Sequence, residues 1–222
     1  MFVSMAGFFL TFEGSEGCGK STQIGRLVAA CEKSGVSPLV TREPGGTSAG
    51  EEIRNLLQHS RAGDAMVPEC ELLLFSASRA QLVREVIGPA LENGRLVICD
   101  RFFDSTTVYQ GVARRLAPAD VAAMNRFAVG ECVPDLTIVL DMDAQVALQR
   151  ARTGRLGAVR DRMEEQGKEF YEAVRAGYLA LAEAEPKRVR VVDSSGTPDE
   201  TFEAIRKILL DNGHGIFQTL ST

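Results

Sequence analysis

The sequence predicts an α/β fold in which helices cover both faces of a mostly parallel, five-stranded sheet. Strand-length apolar runs alternate along the chain with segments of helical period, the βαβα order that parallel strands need for their crossovers. Two of those runs, RLVICD at 95–100 and LTIVLD at Leu136–Asp141, are apolar until a terminal carboxylate, as central strands buried on both faces are. The length of 222 residues suits one such domain.

The elements follow in order. Residues 7–13 (GFFLTFE) read as the first strand, and Lys20–Lys33 as an amphipathic helix with Ile24, Leu27 and Val28 on one side. A second strand is expected over 36–41, before the turn-rich REPGGT of 42–47. Helices are expected over 49–58 and 68–92, then the strand of 95–100. Pro118–Val129 opens on proline and places Val121, Met124 and Phe127 at helical spacing. Beyond Leu136–Asp141 come helices over 144–152 and 164–184, a last strand at Val189–Asp193 and a helix over 199–210. No repeat or low-complexity linker divides residues 1–222, and the glycine- and arginine-rich stretch 150–162 reads as an excursion from one domain.

Composition narrows the function. Hydrophobic residues are 45% and charged residues 25%, enough for one sizeable core in a soluble chain. The net charge of −5 gives no electrostatic reason to expect a nucleic-acid polymer as partner. Five widely spaced cysteines form no disulfide or metal pattern, which fits a reducing, cytoplasmic setting. No basic residue precedes the apolar start and Glu13 ends it early, so neither a signal peptide nor a membrane partner is expected.

Chemistry concentrates in FEGSEGCGKST, residues 12–22. Gly14, Gly19, Lys20 and Ser21 fill the fixed positions of a phosphate-binding loop, between a strand and a helix as the mechanism requires. Glycines at 14, 17 and 19 let backbone N–H groups turn toward a phosphate; Ser15, Glu16, Cys18 and Thr22 complete the expected ATP loop. Lys20 would bridge the β- and γ-phosphates and Ser21 would ligate Mg²⁺. Glu13 would face the metal or cap the loop. No base-reading NKxD motif is present, so a GTPase is a poor reading.

Other side chains are expected at the same sheet edge, where open α/β folds bind ligands. Asp100 would hold Mg²⁺, with Asp141 as rival, while Arg101 clamps the reacting phosphates. Arg42 can grip a monophosphate bidentately, with Glu43 supporting it or a metal-bound water. Phe75 and Arg79 share a helix face, so a ring can stack on a base while a guanidinium reaches its carbonyl edge. His59 and His214 have no triad-like partners in sequence.

Together FEGSEGCGKST, TREPGGT (41–47), LLFSASRAQ (73–81), DRFFDSTTVYQG (100–111), Leu140-Asp141 and DRME (161–164) resemble thymidylate kinase, in order over about residues 8–207. The resemblance implies a three-layer P-loop NTPase fold, conversion of ATP and dTMP to ADP and dTDP with Mg²⁺, and a cytoplasmic homodimer. It assigns Arg42, Arg79 and Arg101 to the nucleotide phosphates and thymine, Phe75 to base stacking, Thr106 and Gln110 to the base's polar edge, and Arg54 to the acceptor phosphate. Tyr109 would lie close to the acceptor, and Glu16 would accept a hydrogen bond from its 3′-hydroxyl. A lid over about 150–163 would close on ATP. Because the loop carries Glu16 where one family type has a basic residue, the chain resembles the bacterial type whose arginine lies in the lid. Of Arg152, Arg155, Arg160 and Arg162, Arg155 is the expected catalytic residue, with Arg160 second. Three features depart from the family pattern: Ala144-Gln145 replaces Pro-Glu, Phe102 replaces Tyr, and the lid is longer.

Overall fold

The computed structural model describes residues 7–154 and 166–218, the side chain of Arg152 excepted. They build a five-stranded sheet of order β2-β3-β1-β4-β5, with every neighbouring pair parallel. The strands are β1 Phe8–Glu13, β2 Leu39–Arg42, β3 Leu96–Asp100, β4 Leu136–Asp141 and β5 Val189–Asp193.

Alternation along β1 assigns its side chains to two cores. Phe8, Leu10 and Phe12 pack on one face with Ile24, Leu27 and Cys31 of α1 (Lys20–Lys33) and Ile205 and Leu209 of α9 (Pro198–Asn212). Phe9 points to the other face and meets Val97, Cys99 and Phe102, together with Leu82, Val83 and Ile87. Leu82 ends α3 (Pro68–Leu82), which continues through a π-helical turn, Val83–Ile87, into α4 (Gly88–Glu92). A third cluster sets Val139 and Val189 against Val174 and Tyr178 of α8 (Lys168–Ala184).

The sheet register positions the site. Phe12 of β1 and Arg42 of β2 both pair with Asp100 of β3, and Glu13 pairs with Val139 of β4. Glu13, Arg42 and Asp100 therefore reach one carboxyl edge together, beside the loop that joins β1 to α1.

Most expected elements are present, several with shifted ends. The second strand begins at Leu39, three residues later than expected, and the helix expected over 49–58 is α2, Ser48–Arg54, followed by a π-helical turn at Asn55–His59. The first described turn of α8 begins at Lys168, and α7, Ala144–Gly154, runs two residues further than expected. α6 matches Pro118–Val129. The sequence reading missed the helix formed by α5 (Phe103–Thr106) and a π-helical continuation, Thr107–Ala113. Its β-branched run Thr106-Thr107-Val108 opposes helix formation locally. Packing overrides that preference, since Val108 and Tyr109 join the cluster of Val174 and Tyr178. Among the described residues no helix is long and apolar enough to cross a membrane.

Candidate active site

The phosphate loop takes the shape its glycines permit. Gly17 has φ 76°, and a Cβ there would lie 2.0 Å from the Ala147 carbonyl oxygen, so α7 can approach only a glycine. Gly19 adopts φ 97° and starts α1 without any side-chain cap or acidic residue in the first turn. The helix thus offers its N-terminal N–H groups and positive dipole end to an anion. Lys20 lies back over the loop, its Nζ donating to the carbonyls of Gly14 at 3.1 Å and Ser15 at 2.8 Å.

A cleft of about 450 Å³ opens above this loop. Glu16, Gly17, Gly19, Lys20, Ser21 and Thr22 line one side, and Arg42, Glu43, Arg54, Asp100 and Arg101 line the other. Ser21 Oγ donates to Asp100 Oδ2 at 3.4 Å, whereas the buried Asp100 Oδ1 has no partner among the described residues. A hydroxyl beside a half-satisfied carboxylate is a hard-oxygen pair that suits Mg²⁺. The rival, Asp141, is occupied: Arg175 donates to its two oxygens at 2.7 and 2.8 Å.

A second, smaller cavity adjoins the first and shares Glu16, Gln58 and Arg101 with it. Phe75, Thr106 and Gln110, three of the residues expected around a base, line it together with Tyr109, expected close to the acceptor. Arg79 stands behind that lining, only 1% exposed, donating to Glu43 Oε2 at 2.8 Å, Asn125 Oδ1 at 3.1 Å and Thr106 Oγ1 at 2.9 Å. It reaches the cavity through Thr106. Gln110 gives its amide nitrogen to buried Glu71 at 2.7 Å.

The expected support of Arg42 by Glu43 is replaced by two other ion pairs. Arg42 donates through Nη2 to both oxygens of Glu51 at 2.9 Å, whereas Glu43 pairs with Arg79 instead. Burial pushes the Glu43 carboxyl up to about 7 against the pull of Arg79, and its Oε1 has no partner among the described residues. Arg54 donates to the Pro44 carbonyl at 2.8 Å.

Glu13 and Glu16, the two carboxylates of the loop, have separate tasks. Glu13 is fully buried and accepts from the Phe102 N–H at 2.7 Å, the Ser105 N–H at 3.3 Å and the Ser105 hydroxyl at 2.6 Å. It caps the helix beginning at Phe103 and does not line the cleft. Glu16 lines both cavities, accepting from Arg101 at 2.7 Å and from the Tyr109 hydroxyl at 2.9 Å. Burial would raise its pKa, but Arg101, Lys20 and Tyr109 outweigh that effect and hold it below the usual carboxylate value. Arg101 has φ 70°, a left-handed conformation costing roughly 1–3 kcal/mol outside glycine, and its surroundings must hold it there.

Sequence reasoning missed Gln58, which lines both cavities, Glu71, which holds Gln110, and Arg150, which borders the phosphate cleft. Only Arg150 had a local signal, as the first arginine of the basic excursion. Arg155, Arg160 and Arg162 lie outside the described residues, as does the side chain of Arg152.

Comparison with known proteins shows which family the chain resembles. The family model described as thymidylate kinase matches residues 12–205. The thymidylate kinase of Geobacter sulfurreducens is 46% identical over 208 residues, covering 92% of this chain and 97% of that protein. That of Pseudomonas syringae pv. syringae is 47% identical over 194 residues, covering 87% and 90%. The crystal structure of thymidylate kinase from Ehrlichia chaffeensis superposes with a TM-score of 0.72 at 31% identity, covering 92% of this chain and 99% of that one. A phosphate loop and a second cavity that meet at one arginine, on a chain that matches the family model over residues 12–205 and its relatives over most of its length, place the protein in the thymidylate kinase family.

Proposed function

We propose that the protein phosphorylates dTMP with ATP, giving dTDP and ADP by direct in-line transfer, as a step toward dTTP. The observation that supports this most is the meeting of the two cavities at Arg101, Glu16 and Gln58. Transfer requires donor and acceptor phosphates to be brought together at one place.

In this reading the loop from Gly14 through Thr22 cradles the ATP phosphates, and Lys20 gives up its loop carbonyls to bridge the β- and γ-phosphates. Arg42 and Arg54 take the acceptor phosphate, and Arg101 clamps the phosphates between which transfer occurs. Phe75 stacks on thymine. Arg79 orients Thr106 toward the base's polar edge. With its nitrogen held by Glu71, Gln110 offers its oxygen to the thymine N3–H. Glu16 accepts from the sugar 3′-hydroxyl, close to Tyr109.

Ser21 and Asp100 would hold Mg²⁺, whose charge, when bound, offsets that of the phosphate oxygens. The acceptor is already an anionic nucleophile, so positioning and charge neutralisation carry the rate without a strong general base. The resemblance extends the reading to one domain over 1–222 with a lid over about 150–163, from which Arg155, or Arg160 in second place, reaches ATP, and to a homodimer in the cytoplasm. Leu73 of α3 and Phe127 of α6, on two helices packed on each other, are exposed apolar side chains that such a dimer would cover.

Steady-state ADP release with dTMP, dUMP, dCMP, dGMP and dAMP tests the assignment. dTMP should give the highest kcat/KM; a purine preference would defeat the thymine pocket, and ATP binding without turnover would favour a nucleotide-binding regulator.

A further inference from the structure

The guanidinium of Arg101 has two differently occupied ends. Nη2 donates to Glu16 at 2.7 Å, in the lining of both cavities. Nη1 donates to the Ser105 hydroxyl at 3.2 Å and to the Tyr178 hydroxyl at 3.4 Å. Tyr178 lies 77 residues further along the chain, on α8, and lines neither cavity.

These two hydroxyls lead to one buried carboxyl, Glu13, whose pKa is raised by burial and by Asp104 against the pull of Arg101, Ser105 and Tyr178. Ser105 donates to Glu13 Oε2 at 2.6 Å and Tyr178 donates to the same oxygen at 2.7 Å, with the hydroxyl oxygens 2.9 Å apart. Each hydroxyl carries one proton and two lone pairs, so it can bond to Glu13 and still accept from the Arg101 guanidinium. Burial pushes the Tyr178 phenol well above its usual pKa, which keeps that proton in place. The carboxyl is thereby linked to the guanidinium through two neutral oxygens, and hydrogen bonds in such a chain polarise one another. Glu13 also accepts from the Phe102 N–H at 2.7 Å, so the same carboxyl fixes the backbone that follows Arg101 and its φ of 70°.

We propose that Tyr178 is a positioning residue for phosphoryl transfer: with Ser105 it anchors the Nη1 end of Arg101 to buried Glu13, leaving Nη2 to exchange Glu16 for a phosphate oxygen without the guanidinium turning. The proposal rests on the reading of Arg101 as the phosphate clamp. It assigns Tyr178 no contact with either nucleotide.

The test is a double-mutant cycle with Tyr178→Phe, which removes one oxygen and keeps the ring, in wild-type and Arg101→Lys backgrounds. In the wild-type background kcat should fall roughly three- to tenfold, the effect of one lost hydrogen bond, while KM for ATP stays within about twofold. In Arg101→Lys the same substitution should change kcat by less than about twofold, because the edge it positions is gone. An unchanged kcat in Tyr178→Phe, or an equal loss in both backgrounds, would overturn the proposal. If Tyr178→Phe does not fold, Ser105→Ala reads the same anchor by the same criteria. Arg101→Ala separates the two levels of the argument. Wild-type turnover in that variant would remove the clamp reading and the proposal with it, whereas an inactive Arg101→Ala beside a fully active Tyr178→Phe would remove the proposal alone.

Discussion

At Glu16, burial and charge pull the carboxyl in opposite directions. Burial favours the protonated acid, while Arg101, Lys20 and the Tyr109 hydroxyl favour the anion, and the anion wins. Because the folded pKa lies below the ordinary value of 4.5, the unfolded chain takes up the proton first as the pH falls. The stability due to Glu16 is therefore present above about pH 4.5 and is lost below it, toward the folded pKa. Thermal unfolding from pH 6 to pH 3 should show a shallower acid-side fall in Tm for Glu16→Gln than for wild type; parallel curves would contradict the assignment. The same carboxylate gives a functional readout. A 3′-deoxy acceptor should be poorer than dTMP with wild type, and Glu16→Gln should shrink that difference, since the hydroxyl loses its charged acceptor.

Among the elements, the phosphate loop and the helix after Arg101 differ in how far local sequence determines them. The loop was legible because its glycines carry the geometry: Gly17 meets both a positive φ and the Ala147 carbonyl. Gly17→Ala should cost more than about 1 kcal/mol and weaken ATP binding, which denaturant unfolding and nucleotide titration would measure; unchanged values would show the α7 contact to be loose. The strands β1, β3 and β4 were equally plain, since burial on both faces leaves nearly continuous apolar runs. The helix from Phe103 was hidden. Its support comes from Glu13, some 90 residues earlier, and from Val174 and Tyr178 on α8, so no window of local sequence contains the cause. For the same reason the pairings of Glu43 with Arg79 and Gln110 with Glu71 emerged only from the fold, and the nearer pairing of Arg42 with Glu51 depends on the turn that joins β2 to α2. Residue type was readable at these positions, but partner was not.

At the scale of the whole molecule, the parallel sheet gathers into one crevice groups that stand far apart in sequence. The phosphate loop follows β1, Arg42 ends β2, and Asp100 ends β3 with Arg101 next, so strand register brings two arginines and a carboxylate to the cleft above that loop. The outer face of α3 and α6 carries a separate expectation. Phe127 is 77% exposed, and replacing it with Asp should shift a dimer toward monomer in sedimentation equilibrium, whereas an unaltered mass would place the interface elsewhere. In the proposed reaction the phosphoryl group passes directly from ATP to dTMP with Lys20 on the transferring phosphates. Single-turnover transfer of a γ-labelled phosphoryl from ATP, comparing wild type with Lys20→Ala, tests it most directly. Wild type should form labelled dTDP, and the variant should form it at least about 10²–10³ slower, as expected for loss of one preorganised charge donor. Absence of labelled dTDP with wild type, or equal rates for the two proteins, would contradict the account.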